Sequence, residues 1–202
     1  MRLGVFGGSF DPIHWGHLQL AECCAAQAGL DRVLFVPAAA QPLKPGGAVA
    51  SAADRLAMVA AAIAEDARFE ASTVEIDRGG ASYTVDTLAT LAAERPGDEL
   101  FFLMGADSLA DIAKWRQPER ICELATPLVV ARAGEPPVDL AVLAPYVTAE
   151  RLAEIEKLRV ETPPASISST ELRRRIAGGE PWKDQVPPPA AEYIRARGLY
   201  RP

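Results

Sequence analysis

Cysteine and histidine are scarce in this chain, and long apolar runs are absent. The cysteines are an odd number and two of them are adjacent, which argues against a disulfide framework (Cys23, Cys24 and Cys122). Neither a Cys-x-x-Cys pair nor a His-rich tract is present to indicate a zinc site. Reduced thiols are typical of the cytoplasm, and a membrane helix needs roughly 18 consecutive apolar residues. We therefore expect a cytoplasmic protein with no membrane partner.

Positive charge is also scarce. The 202 residues include 21 Lys and Arg against 27 Asp and Glu, which gives a formal net charge of −6. Such a chain repels a phosphate backbone unless its charges are segregated, so we expect no nucleic-acid partner. The composition, 49% hydrophobic and 24% charged, is that of a folded globular chain, and the length favours a single domain over 1–202. These numbers do not fix the oligomeric state, and a homodimer is an open alternative.

Short β-type runs alternate with alanine-rich helical stretches along the chain. This alternation predicts an α/β fold with a doubly wound parallel sheet. We expect a sheet core over 1–132 and a C-terminal helical extension over 133–202, with ligands at the carboxyl ends of the strands. The predicted strands are 2–6, 32–37, 69–76, 99–104 and 127–131. The predicted helices are 16–28, 51–66, 82–94, 149–159, 168–176 and 189–197.

The densest chemical signal follows the first predicted strand, where both histidines lie in the run Gly-Gly-Ser-Phe-Asp-Pro-Ile-His-Trp-Gly-His over 7–17. We expect Gly7 and Gly8 to let the backbone turn sharply and approach a ligand. His14 and His17 lie one helical turn apart at a helix N-terminus, where imidazoles and N–H groups can bind one phosphate group. The alternative is that the two histidines coincide by chance. Gly-x-Gly-x-x-Gly and Gly-Lys-Ser/Thr loops are both absent.

A second anion site is predicted near the C-terminus, in the run Ile-Ser-Ser-Thr-Glu-Leu-Arg over 167–173. Thr170 and Arg173 are three residues apart and share one face of a new helix, so hydroxyls, an Arg and a helix N-terminus meet there. The alternative is an ordinary capping box of Ser168 and Glu171, followed by a solvated basic patch.

Four further segments lie where ligands are expected. Lys44 is in the loop after the second predicted strand, where it contacts phosphate or is merely solvated. The Gly-rich run 78–88 opens a helix whose N–H groups could bind an acceptor carboxylate. Asp107 follows the fourth predicted strand and is either a ligand or a helix cap. Trp115 could stack on an aromatic ring or simply pack in the core.

These motifs resemble those of a known family. Gly-x-Phe-Asp-Pro-x-His-x-Gly-His and Ile-Ser-Ser-Thr-x-x-Arg are similar to signatures of the nucleotidyltransferase superfamily. Arg-Gly-Gly-x-Ser-Tyr-Thr-x-Asp-Thr-Leu over 78–88 and Gly-Ala-Asp-Ser-Leu over 105–109 resemble the nicotinate mononucleotide adenylyltransferases, and the resemblance spans 3–176. It implies a Rossmann-like sheet of about five to six strands. It also implies transfer of AMP from ATP to nicotinate mononucleotide, giving deamido-NAD and pyrophosphate, with Mg²⁺ accompanying ATP and no metal ligand from the protein.

The resemblance also assigns residues. The catalytic group is His14, His17 and Arg173. The ATP site adds further positions from both phosphate motifs and from the loop after the fourth strand, namely Gly7, Gly8, Ser9, Phe10, Gly105, Asp107, Ile167, Ser168 and Thr170. The nicotinate mononucleotide site is Ser9, Lys44, Tyr83, Thr84 and Trp115, with Trp115 stacked on the ring and N–H groups near Thr84 on the carboxylate. Pro45 departs from the family pattern, in which a second basic residue is common after the lysine.

Two alternatives stay open. A different superfamily member, such as a phosphopantetheine adenylyltransferase, would use the same phosphate motifs with another acceptor. A non-catalytic nucleotide-binding protein could keep the fold without the reaction, because function depends on the site and not on the fold.

Overall fold

The computed structural model describes residues 1–42, 47–134, 138–164 and 167–201. Its strands form one six-stranded sheet in the order β3-β2-β1-β4-β5-β6, and β1–β4, β4–β5 and β5–β6 pair in parallel. The predicted α/β class with a doubly wound sheet is confirmed. The strands are β1 (Arg2–Gly8), β2 (Arg32–Pro37), β3 (Phe69–Ala71), β4 (Glu99–Gly105), β5 (Thr126–Arg132) and β6 (Val160–Thr162).

Serines cap two of the helices at positions that the sequence predicts, and glycines end two of them. Ser51 and Ser168 each accept a hydrogen bond from the amide three residues on, which satisfies a donor that the helix leaves unpaired. Gly179 and Gly198 end α8 and α9 in the left-handed region, where a Cβ is disfavoured. The helices are α1 (Trp15–Gln27), α2 (Ala52–Ile63), α3 (Val74–Arg78), α4 (Thr84–Glu94), α5 (Ala106–Ala110), α6 (Pro118–Leu124), α7 (Ala149–Lys157), α8 (Ser169–Gly178) and α9 (Pro188–Arg197).

The chain divides into two compact units. Unit 1 comprises Met1–Phe6, Leu20–Leu34 and Tyr83–Pro164. Its core is built on β4, whose run Leu-Phe-Phe-Leu-Met is buried throughout, as expected for a parallel strand covered on both faces. Helices α5, α6 and α7 pack on β5, and α5 also packs on β4.

Unit 2 comprises Gly7–Gln19, Phe35–Ser82 and Ala165–Pro202, of which only the described residues are discussed. Helix α2 packs against α9 and β3. Phe35 lies at the centre of an aromatic cluster, with its ring centroid 5.7 Å from that of Phe10 and 5.4 Å from that of Phe69. This unit carries both predicted phosphate motifs.

Two short elements differ from the sequence prediction. The predicted strand 69–76 ends at Ala71, and α3 follows it at once. Thr73 donates a hydrogen bond to Asp77 across the first turn of α3, and the buried Glu75 lies near the charge of Arg55. This local bonding and the buried charge outweigh the β propensity of Val74 and Ile76. The second difference is β6, where the sequence predicts no strand.

The single-domain organisation and the boundary between 132 and 133 stay predictions. Among the described helices, none is both long enough and apolar enough to cross a membrane.

Cys23, Cys24 and Cys122 are free thiols. Burial raises the pKa of Cys24 to about 12 and that of Cys122 to about 11, so both stay protonated and unreactive at neutral pH.

Candidate functional site

The two histidines stack on each other at the start of α1. Their ring centroids are 3.7 Å apart with an interplanar angle of 22°. His14 is buried and His17 is half-buried. The backbone N–H of His14 donates to Nδ1 of His17 at 3.2 Å. A neutral imidazole that accepts at Nδ1 carries its proton on Nε2, so this contact makes the Nε2 of His17 a hydrogen-bond donor.

Gly7 and Gly8 do not form a sharp turn, so that part of the prediction is wrong. Both glycines belong to β1, and neither has a positive φ. The left-handed residue is Phe10, with φ of 47°. A Cβ on Gly8 would lie 2.9 Å from the Phe10 ring, so Gly8 is needed for the close approach of that ring. The same ring packs edge to face against His17, with 5.1 Å between the centroids, and so restricts the orientation of the imidazole.

Asp11 fastens the loop between β1 and α1 to the residues before α2. Its carboxylate is buried and accepts hydrogen bonds from the amides of Val49 and Ala50, at 2.7 Å and 3.1 Å. This geometry makes Asp11 a residue that orients the loop.

The structure brings the second phosphate motif against this loop, as the sequence predicts. The hydroxyl of Ser169 donates to the carbonyl of Pro12 at 2.9 Å, and Nη1 of Arg173 donates to the carbonyl of Asp11 at 2.7 Å. Nη2 of Arg173 lies 3.4 Å from the Thr170 hydroxyl, which confirms their shared face. Ile167 is half-buried and Ser168 is exposed just before the helix.

The arginines of α8 divide into two groups. Arg173 fits the predicted anion site, whereas Arg174 and Arg175 fit the alternative of a solvated basic patch. Arg174 and Arg175 bind the carboxylate of Glu171, whose pKa they lower to about 2, and Arg174 also pairs with Glu180. Glu171 therefore does not complete the reciprocal half of a capping box. Arg173 alone of the three contacts the loop.

Ser9 and Lys44 were both predicted to contact substrate. The Ser9 hydroxyl donates to the side-chain oxygen of Gln41 at 2.6 Å. The Ser9 carbonyl accepts from Nη1 of Arg55 at 2.8 Å. Lys44 lies outside the described residues.

The remaining predicted residues lie in unit 1. Tyr83 is the extended N-cap of α4, and no side chain caps the amides that open this helix at Thr84. The guanidinium of Arg116 lies 5.0 Å from the centroid of the Tyr83 ring and 3.4 Å from Asp86. This pair of contacts fixes the start of α4.

Trp115 and Asp107 follow β4 in the same unit. Trp115 is half-buried, and its ring meets Phe102 edge to face at 5.8 Å, which leaves part of the ring accessible. Asp107 is exposed in the first turn of α5, where Gly105 is the N-cap and no side chain caps the helix. The predicted alternative of a capping role for Asp107 is therefore wrong.

Within the described ranges, no group of three or more His, Cys, Asp or Glu side chains could hold a metal ion.

Two residues near the phosphate motifs, Arg55 and Tyr200, were not predicted from the sequence. Arg55 is fully buried inside an alanine-rich helix, and its chemistry depends on carbonyls far along the chain, so no local pattern signals it.

Known proteins resemble this chain over almost its whole length. A cytidylyltransferase-like family model matches residues 5–175. A protein of Roseiflexus castenholzii named "Probable nicotinate-nucleotide adenylyltransferase" is 49% identical, covering 99% of this chain and 98% of the relative. A Thermus thermophilus protein of the same name is 45% identical, and the match covers 100% of both chains.

The fold also matches a solved structure. The Plasmodium falciparum nicotinic acid mononucleotide adenylyltransferase complexed with NaAD has a TM-score of 0.73 and 18% identity, covering 98% of this chain and 97% of that one. At that identity the likeness concerns the fold alone, whereas the curated relatives fix the family. The chain therefore belongs to the cytidylyltransferase-like family and, within it, to the nicotinate-nucleotide adenylyltransferases.

Proposed function

We propose that this chain transfers AMP from ATP to nicotinate mononucleotide, giving deamido-NAD and pyrophosphate. One observation carries the proposal. Two motifs suited to phosphate, about 150 residues apart, meet around Asp11 through Ser169 and Arg173. The chain in which they meet is 45% to 49% identical, over its full length, to proteins named for this reaction.

The reaction is a displacement at phosphorus. A phosphate oxygen of nicotinate mononucleotide attacks the α-phosphorus of ATP, and the bond to the bridging oxygen of the β-phosphate breaks. Pyrophosphate leaves with the electron pair. The attacking phosphate is already anionic at neutral pH, so the reaction needs no covalent enzyme intermediate and no strong base. Catalysis then consists of positioning and stabilisation of charge on the phosphate oxygens.

The phosphate motifs of unit 2 supply that stabilisation. We assign the α- and β-phosphate oxygens to His14 and His17, with the Nε2–H of His17 as donor. Arg173 holds the leaving pyrophosphate. The backbone around the histidines and the start of α8 add N–H and hydroxyl donors, from Gly7, Gly8, Ser9, Phe10, Ile167, Ser168 and Thr170. Gly105 and Asp107 of unit 1 are assigned to the nucleotide.

Mg²⁺ enters this scheme as part of the substrate MgATP. Bound with ATP, it would neutralise charge that develops on the phosphate oxygens, and it would need few direct protein ligands in that role. The donor set assigned to the phosphates is His, Ser, Thr and Arg, which suits phosphate oxygens better than Mg²⁺, since Mg²⁺ prefers carboxylate and water oxygens.

The acceptor is assigned to Ser9, Lys44, Tyr83, Thr84 and Trp115. The accessible face of Trp115 can stack on the pyridine ring, and the uncapped amides at the start of α4 can donate to its carboxylate. A carboxamide would turn its own NH2 donor toward those amides. Selection of nicotinate over nicotinamide mononucleotide follows from that mismatch.

The test measures pyrophosphate release from ATP with nicotinate mononucleotide, nicotinamide mononucleotide or phosphopantetheine as acceptor. We expect kcat/KM to be highest with nicotinate mononucleotide, by at least about ten-fold. Equal values for the two pyridine nucleotides would refute the carboxylate assignment. Turnover with phosphopantetheine alone would refute the proposed reaction, and binding without turnover would identify a nucleotide-binding protein.

We further propose that the protein works in the cytoplasm on these small molecules alone, without nucleic acid. Whether the working form is a homodimer is decided by sedimentation of the purified protein.

A further inference from the structure

The Asp11 carboxylate has a partner that the proposed reaction does not use. The hydroxyl of Tyr200 donates to Oδ1 of Asp11 at 2.7 Å, across 189 residues of sequence. Oδ2 of the same carboxylate lies 3.8 Å from Nη1 of Arg173. Asp11 thus joins the loop that carries His14 and His17 to α8 and to the segment after α9.

Tyr200 is held in its place by specific packing. It is 9% exposed, and its hydroxyl also lies 3.9 Å from the sulfur of Met58 on α2. Its φ of 63° is in the left-handed region, which a residue with a Cβ adopts only when its surroundings impose it. The surroundings of Tyr200 therefore impose an unfavourable backbone conformation, in which the hydroxyl reaches Asp11.

The Tyr200 hydroxyl is a permanent donor. Burial raises the pKa of this phenol, and the negative charge of Asp11 raises it further. The proton consequently stays on the oxygen throughout the neutral pH range, and the bond to the carboxylate is charge-assisted.

Arg55 fixes the other side of the same loop. Its guanidinium donates to the carbonyls of Ser9, Ala38 and Ala50, at 2.8 Å, 2.6 Å and 3.3 Å. The loop is therefore bound before Asp11 by Arg55 and after it by Ser169. Between these two points, the Asp11 carboxylate links the loop to both Tyr200 and Arg173.

We infer that Tyr200 is a positioning residue, which acts through Asp11 to fix the loop that carries His14 and His17 together with the guanidinium of Arg173. The inference rests on the proposed function, because these are the groups assigned there to the ATP phosphates. Displacing such groups by even about 1 Å can cost up to about 100-fold in rate.

The test uses Tyr200→Phe, which removes only the hydroxyl. The matched control is Tyr193→Phe, because the Tyr193 hydroxyl also donates to a carboxylate, that of Asp54, at 2.9 Å. Asp54 binds Ser51 at the start of α2 and has no contact with the histidine loop among the bonds described for it. Each substitution removes one buried or half-buried phenol hydroxyl. Tyr200→Phe breaks a bond to Asp11, and Tyr193→Phe does not.

We expect Tyr200→Phe to lower kcat/KM for ATP by about 10- to 100-fold with KM for nicotinate mononucleotide unchanged. Tyr193→Phe should leave both parameters at the wild-type level. Asp11→Asn should lower kcat/KM by a smaller factor in the Tyr200→Phe background than in wild type, because the two residues share one hydrogen bond. A purely structural role for Tyr200 would lower the unfolding temperature of Tyr200→Phe and leave its kcat/KM for ATP at the wild-type level.

Amide hydrogen exchange of the free protein separates this inference from the proposed function. Residues 9–17 should exchange faster in Tyr200→Phe than in wild type, and Tyr193→Phe should match wild type. If Tyr200→Phe does not fold, Asp11→Asn replaces it, with Asp54→Asn, which changes the carboxylate partner of Tyr193, as its control. Unchanged exchange over 9–17 would overturn the inference. Absence of turnover in the wild-type protein would overturn the proposed function and leave the exchange result decisive for Tyr200.

Discussion

Two aromatic neighbours and one backbone amide determine what His17 can do. The ring stacks on His14 and meets Phe10, and its Nδ1 accepts from the backbone. These contacts leave the ring little choice of orientation, and in the proposed reaction they would hold Nε2–H in place for a phosphate oxygen that gains charge only during the reaction. Such a donor lowers the barrier more than it strengthens ground-state binding.

We therefore expect His17→Ala to lower kcat by roughly 100- to 1,000-fold with little change in KM for ATP, as measured by initial rates of pyrophosphate release. Cys23→Ala is the control, because Cys23 lies further along α1 and is assigned no part in the reaction. An unchanged kcat in His17→Ala would remove His17 from the catalytic group.

Gly8 is important because of the ring that covers it. A Cβ at this position would lie 2.9–3.2 Å from three atoms of the Phe10 ring, and Phe10 is 1% exposed and cannot move away freely. Gly8→Ala should therefore lower the free energy of unfolding by about 1–3 kcal/mol, measured by urea denaturation.

Gly178→Ala is the matched control for that experiment. A Cβ at Gly178 meets only the flexible Glu180 side chain at 3.4 Å, and the residue is helical. Alanine should be neutral or stabilising there, because glycine has the poorer helix propensity. Equal loss of stability in the two variants would mean that the Phe10 contact has no part in the effect.

At the scale of elements, the start of α2 is bound to α9 through Asp54. Its carboxylate accepts from Ser51, Tyr193 and Arg197. The hydrogen bond from Ser51 is the largest cause that holds the pKa of Asp54 below its usual value, and Tyr193 and Arg197 lower it further. The charged carboxylate consequently stabilises the packing of the two helices.

The sign of the pH dependence follows from that depressed pKa. The stabilisation from Asp54 is fully present above the ordinary carboxyl pKa of about 4, and it is lost as the pH falls through the lower value of the folded state. We expect the difference in unfolding free energy between wild type and Asp54→Asn to be constant from pH 7 to about pH 5 and to shrink below it. Urea denaturation at a series of pH values measures this, and a difference that stays constant down to pH 2 would contradict it.

Elements defined by their own residues could be predicted from the sequence. The strand at 32–37 is a continuous apolar run and matches β2 to the residue, and Ser51 and Ser168 mark the starts of α2 and α8. Elements that depend on distant partners could not be predicted in this way. Segment 74–78 alternates like a strand but becomes α3, and β6 has three residues whose pairing with β5 is the only sign of a strand.

The same division holds at the scale of the whole molecule. The two phosphate motifs were recognisable because glycine, histidine and arginine lie at fixed local spacings, and the sequence predicted that both serve one phosphate site. The bonds that join them, from Ser169 and Arg173 to the loop, come from the structure. The support beneath them was not recognisable. Arg55 resembles any solvent-facing arginine of an alanine-rich helix, and Tyr200 any aromatic residue near a helix end, until the fold brings both beside Asp11.

The distance along the chain between Asp11 and Tyr200 has a consequence for synthesis. At roughly 5–20 residues per second, the histidine loop is made roughly 10–40 s before the tyrosine that completes its support. Contacts of such long sequence range also form late in folding, because their loop-closure entropy is lost before they contribute energy. On the proposed scheme, a nascent chain that does not yet include Tyr200 carries the histidines without the bond that fixes their loop, and nucleotide binding would mark a molecule synthesised and folded through this residue.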